Sequence, residues 1–139
     1  MIILDTNVVS ELMRTDPIDR VARWIADRPP TAFGTTAVTQ AEILLGVEIL
    51  PKGKRRDALQ EVADDIFDED FEGRVFIFDG DAARAYARIV AARRRSGRPI
   101  STADAQIAAI ARSLGFELAT RNVGDFEGCG VELHDPWAD

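Results

Sequence analysis

The sequence predicts an α/β fold in which helices cover both faces of a mainly parallel sheet. Short apolar runs of strand length alternate with longer segments of helical character, and the N-terminal run MIIL is apolar at every position. Strands buried on both faces show such continuous apolar runs, and parallel strands need long, usually helical, connections. The 139 residues contain no internal repeat, low-complexity tract or linker, so a single domain over 1–139 is expected.

The first half of the chain is expected to contain two strands and three helices. MIIL (1–4) is the first strand, and an Asp-Pro pair opens a helix over 16–27, because Asp is a common N-cap and Pro fits the first helical position. A Pro-Pro pair then ends that helix. The remaining elements are the strand and turn TAFGTTAV (31–38), the helix VTQAEILLGVEIL (38–50), which ends near 51–53, and a helix over 54–71.

The second half is expected to contain three strands and two helices. RVFIF (74–78) gives the clearest strand signal, since it is apolar, aromatic and β-branched. A long helix over 81–95 should end at Gly97, and a second over 102–114 should end at Gly115. FELAT (116–120) and GVELH (130–134) complete the chain as short strands.

Composition excludes several kinds of site. One cysteine, Cys129, allows no internal disulfide and no multi-thiolate metal centre, and one histidine, His134, makes a zinc site of nitrogen and sulfur ligands improbable. His134 is expected to be a structural or surface residue, and Trp137 is expected to pack in the core or in an interface. We find no apolar stretch of membrane-spanning length and no signal-peptide pattern, so a cytosolic protein is expected.

The net charge of −7 does not exclude a nucleic-acid partner, because the acidity is local. Residues 57–72 contain eight acids and no base, which leaves sixteen acids and seventeen bases in the rest of the chain. The bases cluster in KGKRR (52–56) and RRRSGR (93–98), and Arg84, Arg88 and Arg95 share a narrow arc of one helix. These bases fit either solvated helix faces or a phosphate-binding surface, and charge alone does not decide between them.

Asp5 is the first candidate for a functional side chain. It follows the apolar residues of the first predicted strand, and an unpaired carboxylate in such a place costs several kcal/mol or takes up a proton. In parallel sheets, ligands bind beyond the carboxyl ends of the strands, which is where Asp5 lies. Asp5 could also act only as the N-cap of a helix that begins near Thr6.

Three further acids invite the same question. Glu42 shares a helical face with Leu45 and Ile49 and is therefore expected to point inward, and Asp104 lies in line with apolar residues three, four and seven positions later. Asp125 lies in the turn after FELAT. Each also has a structural interpretation: Glu42 as half of an ion pair, Asp104 as part of an S-T-A-D capping box, and Asp125 as a turn residue.

The combination favours a metal site over separate structural roles. Clustered carboxylates repel one another, and a divalent cation between them removes the conflict. With oxygen as the available ligand type, Mg²⁺ or Mn²⁺ is the expected ion.

Four segments together resemble a known family. MIILDTNVVSEL, TQAEILLGV, GRPISTADAQIAAIA and LATRNVGDF, followed by DPW at 135–137, are similar in order and spacing to PIN-domain ribonucleases, specifically VapC toxins and their FitB-like relatives. The resemblance covers essentially the whole chain and implies a three-layer α/β/α sandwich. It places the acids of the site at Asp5, Glu42 and Asp104. It also implies that polar neighbours support the metal shell, namely Thr6, Asn7 and Thr102.

The chain departs from the family pattern at the fourth acidic position. Some relatives have an aspartate where this chain has Asn122, and the nearest acid is Asp125. An amide adds no negative charge, so one firmly bound Mg²⁺ is expected and a second is left open.

The resemblance implies metal-assisted hydrolysis of RNA phosphodiester bonds. Asp5 and Asp104 would bind Mg²⁺, for which Mn²⁺ can substitute, and Glu42 would bind the ion or orient the attacking water. The basic residues would steer the RNA backbone towards the acids. They are Arg84, Arg88, Arg93, Arg94 and Arg95 with Lys54 and Arg55 of the KGKRR run.

The resemblance also implies partners. These are a second copy of the chain and a small VapB-like antitoxin, whose C-terminal segment would place a basic side chain against the acids. Operator DNA would be bound only through the antitoxin complex.

Two other functions remain open on the sequence alone. A phosphoryl-transfer enzyme of the haloacid-dehalogenase kind also has an aspartate after its first strand, but it needs a second acid where this chain has Asn7. A non-catalytic, autoregulatory binding subunit would use the acids only to bind an antitoxin arginine.

Overall fold

The computed structural model describes residues 1–139 and contains one five-stranded sheet. The strands lie in the spatial order β3-β2-β1-β4-β5, and all four pairings are parallel. Their bounds are Ile2–Leu4 (β1), Phe33–Thr36 (β2), Val75–Phe76 (β3), Glu117–Ala119 (β4) and Leu133–His134 (β5). The predicted α/β fold with a parallel sheet is therefore confirmed.

Seven α-helices connect and cover these strands. Their bounds are Thr6–Leu12 (α1), Asp19–Ala26 (α2), Ala37–Glu48 (α3), Lys54–Asp65 (α4), Gly80–Arg95 (α5), Thr102–Leu114 (α6) and Val123–Phe126 (α7). A 3₁₀ turn at Pro30–Ala32 precedes β2, and a π-helical segment at Ile66–Asp70 continues α4. None of the seven helices combines the length and the apolar character that crossing a bilayer requires.

The sheet separates two apolar cores, as expected for a three-layer sandwich. Successive residues of β1 face opposite layers, so Ile2 and Leu4 belong to one core and Ile3 to the other. The first core is formed with residues from α1 to α4 and the π segment, among them Val8, Trp24, Ile43 and Phe67. The second is formed with residues from α5 to α7, among them Ile89, Ile107 and Phe126.

Several element boundaries differ from the sequence prediction: β5 is two residues long rather than five, and the α-helix predicted over 54–71 ends at Asp65. The second helix begins at Asp19 rather than at the Asp-Pro pair, and its N-cap residue Ile18 offers no side-chain hydrogen bond. Strand β3 keeps only two of the five predicted residues, and Ile77 and Phe78 are exposed. Strand β3 lies at the edge and pairs with β2 alone, so an apolar, β-branched run leaves the sheet as soon as that pairing ends.

The strand order places a ligand crevice at the middle of the sheet. The chain adds β2 and β3 on one side of β1 and then crosses to add β4 and β5 on the other. Crevices form at such switch points beyond the carboxyl ends of the strands. Three polar residues lie at this edge: Asp5 directly follows β1, Thr36 is the last residue of β2, and Thr120 directly follows β4.

Candidate active site

Asp5 lies where β1 ends and α1 begins, and it is 5% exposed. The backbone N–H of Thr6 donates to its Oδ1 at 2.8 Å, and the Thr120 hydroxyl donates to its Oδ2 at 2.8 Å. The first bond makes Asp5 the N-cap of α1, so the structural interpretation of Asp5 also applies. Because Thr120 follows β4, the two central strands hold this carboxylate between them.

Glu42 reaches the same place from α3. The Thr6 hydroxyl donates to Glu42 Oε1 at 2.8 Å, and Thr39 Oγ1 lies 3.1 Å from the Thr6 oxygen. The expectation that Glu42 shares a buried face with Leu45 and Ile49 was wrong.

The buried stripe of α3 lies on another side of the helix. It consists of Thr39, Ile43 and Val47, whereas Leu45 is 62% exposed and Ile49 is 74% exposed. Apolar residues occur all around α3, so the spacing rule could not identify its buried side.

Asp104 lies in the first turn of α6, half-buried and on the apolar stripe of that helix, as predicted. Ser101 is the N-cap, and its hydroxyl accepts a hydrogen bond from the Asp104 backbone N–H at 3.2 Å. The reverse bond of a capping box, from the Ser101 N–H to the Asp104 carboxylate, does not form, although a hydrogen bond with the Ser101 side chain lowers the pKa of that carboxylate. Gly115, with φ of 69°, ends the helix in the left-handed conformation expected for a C-terminal glycine.

A pocket of about 500 Å³ brings most of the predicted residues together. Its walls contain the three acids Asp5, Glu42 and Asp104 and the three polar neighbours Thr6, Asn7 and Asn122. Two predicted residues lie elsewhere: Thr102 is exposed at the start of α6, and Asp125 is exposed on α7, outside the pocket wall. Asp125 still acts on the site through its charge, since it raises the pKa of Asp104.

Five residues of the pocket wall are absent from the predicted site: Ser10, Glu11, Arg14, Arg121 and Trp137. The first three follow Asn7 at helical spacings of three, four and seven, so one face of α1 lines the pocket. That spacing is visible in the sequence and could have identified them. Arg121 stands over the Trp137 ring, 5.2 Å from its centroid, in a contact between distant segments that no local pattern reveals.

Burial and mutual repulsion act on the acids. The pKa of Asp5 is raised from 3.8 to about 6, mainly by burial. Its hydrogen bonds from Thr120 and Thr6 act in the opposite direction, and the charges of Asp104 and Glu42 add to the rise. Burial also raises the pKa of Asp104, with contributions from Asp125 and Glu42. None of the three pocket acids forms an ion pair with a lysine or arginine.

The stability of the metal-free chain should depend on pH through Asp5. Because its folded pKa lies above the ordinary value of 3.8, the stabilisation is complete below 3.8 and is lost as pH rises through about 6. In EDTA, the free energy of unfolding should fall by about 2 to 3 kcal/mol between pH 4.5 and pH 8 from this group. Thermal unfolding at several pH values measures it, and Asp5→Asn is the matched control. Parallel profiles for the two proteins would contradict the assignment.

The one group of three metal-binding side chains whose ligand atoms all lie close together is outside this pocket, and the ligand atoms of Asp5, Glu42 and Asp104 are spaced more widely. Glu117 on β4, Glu132 directly before β5 and His134 on β5 place one ligand atom each within 4.8 Å of one another. His134 Nε2 is 2.8 Å from Glu117 Oε1, and this contact lowers the pKa of Glu117. His134 is thus a half-buried structural residue, in line with its predicted role.

The predicted basic residues do not line the acidic pocket. Arg84, Arg88, Arg94 and Arg95 are exposed along α5, and Lys54 is exposed at the start of α4. Arg84 also pairs with Asp81 at 3.0 Å.

Arg55 alone of these bases approaches the site. It lines a neighbouring groove of about 780 Å³ that shares Thr6, Ser10, Arg14 and Glu42 with the acidic pocket.

Arg93 was wrongly grouped with the RNA-steering bases. Its side chain is 6% exposed and donates to three backbone carbonyl oxygens, those of Arg98 at 2.6 Å, Asp125 at 2.8 Å and Glu127 at 2.9 Å. Arg93 therefore holds the segment after α7 against the end of α5.

The comparisons with known proteins agree on one family. The PIN domain family matches residues 2–127. The chain is 41% identical to plasmid stability protein StbB of Pseudomonas syringae pv. tomato, over 99% of each chain. It is 40% identical to VapC ribonuclease Y4jK of Sinorhizobium fredii, over 99% of this chain and 98% of the relative.

A solved structure agrees with the family match. The structure of FitAB bound to an IR36 DNA fragment matches this fold with a TM-score of 0.93 at 37% identity, over all of this chain and 97% of that chain. The sequence match and the fold match thus cover the pocket and the sheet that carries it. The chain belongs to the PIN-domain family.

Proposed function

We propose that the chain, as a single PIN domain over 1–139, is a Mg²⁺-dependent endoribonuclease and the toxin of a toxin-antitoxin pair. The observation that carries this proposal is the convergence of three carboxylates, Asp5, Glu42 and Asp104, from three distant segments in one pocket. The relative from Sinorhizobium fredii, named a VapC ribonuclease, supports the nature of the reaction.

The residues of the pocket fit a hard divalent cation. All three acids offer oxygen atoms, and none of them forms an ion pair with a lysine or arginine of the chain. Asp5 and Asp104 would hold Mg²⁺, or Mn²⁺ in its place, and Glu42 would bind the ion or orient the attacking water. When bound, Mg²⁺ would lower the pKa of that water and neutralise charge that develops on the phosphate oxygens.

The polar neighbours fix the positions of the acids. The Thr6 hydroxyl orients Glu42, and the Thr120 hydroxyl orients Asp5. Asn7 ties α1 to the end of β4, because its Oδ1 accepts from the Arg121 N–H at 3.2 Å and its amide contacts Thr120 Oγ1 at 3.4 Å. These bonds hold the acids in place before RNA arrives, which is what preorganised catalysis requires.

RNA would meet two arginines at the pocket before it meets the predicted bases of α4 and α5. Arg14 and Arg121 stand in the pocket wall and can contact the phosphates next to the bond that is cut. Arg55 follows in the neighbouring groove, and the exposed bases of α5 would act at longer range on the approach of the RNA.

The same groove suits an antitoxin segment. Apolar residues such as Ile43, Val47 and Val62 line it together with Glu42, so an amphipathic peptide could bury its apolar face and place a basic side chain at the acids. The FitAB complex bound to DNA supports the proposal that operator DNA is bound only through the toxin-antitoxin complex. Leu45 and Ile49 on α3 offer exposed apolar surface for a homodimer.

An RNA cleavage assay tests the proposal. The purified chain should cut single-stranded RNA in Mg²⁺, should lose this activity in EDTA, and should recover it when Mg²⁺ is restored. A saturating amount of the protein encoded beside the toxin gene should suppress cleavage. Cleavage that persists in EDTA would contradict the metal, and a chain that cuts no RNA in any divalent metal would be the binding subunit considered above.

The haloacid-dehalogenase alternative finds little support in the pocket. The position that would need its second acid is Asn7, whose amide is already bonded to Thr120 and Arg121. This side chain cannot transfer a proton as a carboxyl group does.

A further inference from the structure

Only two buried side-chain polar atoms in the chain lack a hydrogen-bond partner, and both residues line the acidic pocket. They are Glu11 Oε2 and Trp137 Nε1. Buried polar atoms in folded proteins are nearly always bonded, so each exception calls for an explanation in terms of strain, function or a bound water or ion. Both exceptions therefore direct attention to the same pocket.

Glu11 is the more unusual of the two because it carries a charge. It is 6% exposed, and its one basic neighbour is Arg14, whose Nη1 lies 3.3 Å from Oε2 without hydrogen-bond alignment. Arg14 is 62% exposed, so solvent screens this pair. A buried carboxylate with so weak a counter-charge costs several kcal/mol of folding free energy. Packing in an apolar core gives no reason for an acid at this position.

The direction of α1 points Glu11 towards the acids. The helix begins next to Asp5, and helical side chains lean towards the N-terminus of their own helix. Glu11 lies one turn after Asn7 on the face that lines the pocket. Its carboxylate therefore adds negative charge to the wall of the pocket that α1 forms.

The fourth side chain expected from the family pattern carries no charge here. Asn122 lines the pocket but is an amide, and Asp125, the acid nearest in sequence, lies outside the pocket wall. Glu11 is the one further carboxylate in that wall besides the three predicted acids.

We infer that Glu11 supplies the fourth negative charge of the divalent-cation site, in the place of the acid absent at Asn122, and that Arg14 neutralises Glu11 until the cation binds. The inference rests on the proposed function, since it concerns the same Mg²⁺ or Mn²⁺ site. Glu11 acts as a positioning residue that holds the hydrated side of the ion, and its removal should weaken metal binding without loss of the three direct ligands.

Calorimetric titration of the purified full chain with Mn²⁺ tests this inference apart from catalysis. Glu11→Gln should weaken Mn²⁺ binding about ten-fold, the lower end of the effect of removing an outer-shell partner. The matched control is Glu48→Gln, which breaks a Glu–Arg pair of 2.8 Å with Arg56 outside the pocket, and it should bind Mn²⁺ like the wild type.

Two further variants separate a role at the metal from a structural role. Asn122→Asp should restore Mn²⁺ affinity in the Glu11→Gln background, because it returns an acid to the pocket. Arg14→Met should tighten Mn²⁺ binding several-fold in the wild type and should have no effect in Glu11→Gln. Arg14 is exposed, so this variant should fold even if Glu11→Gln does not.

The outcomes are distinguishable. Equal Mn²⁺ affinity in wild type and Glu11→Gln, or an unchanged affinity in Arg14→Met, would overturn the role of Glu11 and leave the proposed nuclease intact. An effect of Arg14→Met that persists in Glu11→Gln would mean that Arg14 acts on the cation directly, which also overturns the inference. A wild-type chain that binds no Mn²⁺ would overturn the inference and the proposed function together.

Discussion

Asp5→Asn should reduce RNA cleavage by about a thousand-fold or more while the fold is retained. In the proposed role Asp5 is a direct ligand, and its loss would weaken the binding of a cation that contributes several kcal/mol of charge stabilisation; about 1.4 kcal/mol corresponds to a factor of ten in rate. The amide keeps the size of the side chain and can still accept from the Thr6 N–H. Because it removes a carboxylate that is 5% exposed, the metal-free variant should also unfold at a higher temperature than the wild type at pH 8.

Two measurements check this prediction together. Single-turnover cleavage of a labelled RNA gives the rate, and thermal unfolding in EDTA at pH 8 gives the stability. Asp68→Asn, the same change at an exposed acid outside the pocket, is the control and should alter neither. A variant that cleaves RNA at a rate near that of the wild type would remove Asp5 from the site, whatever its stability.

Arg93→Met should lower the free energy of unfolding by about 3 kcal/mol or more. The substitution removes the donor to three backbone carbonyl oxygens, and each hydrogen bond from a charged group contributes about 1.5 to 3 kcal/mol. Methionine fills much of the same volume, so lost hydrogen bonds rather than a cavity should dominate the change.

Urea unfolding at pH 7 measures this effect, and Arg94→Met is the matched control. Arg94 is the next residue of α5 and is exposed, so its replacement should change stability by less than about 0.5 kcal/mol. Equal stabilities for the two variants would show that the three carbonyl contacts of Arg93 contribute nothing. A loss for Arg93 alone would confirm that the segment after α7 depends on it.

Local sequence signals were sufficient to predict those elements for which the local pattern and the environment in the folded chain agree. The apolar run before Asp5 predicted both the central strand and the unusual position of the acid, because a strand buried on both faces leaves its next residue at the edge of the sheet. Ser101 and Gly115 predicted the ends of α6 for the same reason, since caps are decided by the few residues around them.

Other features depend on contacts that the chain makes only after folding. Arg93 resembles Arg94 and Arg95 in sequence, and it differs because the distant segment around Glu127 lies over the end of α5. The buried side of α3 could not be read from spacing, since Leu45 and Ile49 are apolar and exposed. The helical spacing between Asn7 and Glu11 could have indicated a shared face, but the predicted site did not include Glu11, and the burial of Glu11 depends on how α1 packs against the rest of the pocket.

The central position of β1 determines how firmly Asp5 is held when other parts of the molecule unfold locally. The strand lies between β2 and β4, and the Asp5 N–H donates to the Ala119 carbonyl oxygen at 2.9 Å. Local unfolding would start at the outermost strands, β3 and β5. It would also have to detach β2 or β4 before it releases the backbone of Asp5. The first acid therefore remains anchored for as long as the molecule stays folded, whereas the acids carried by α3 and α6 can shift whenever the outer layers do.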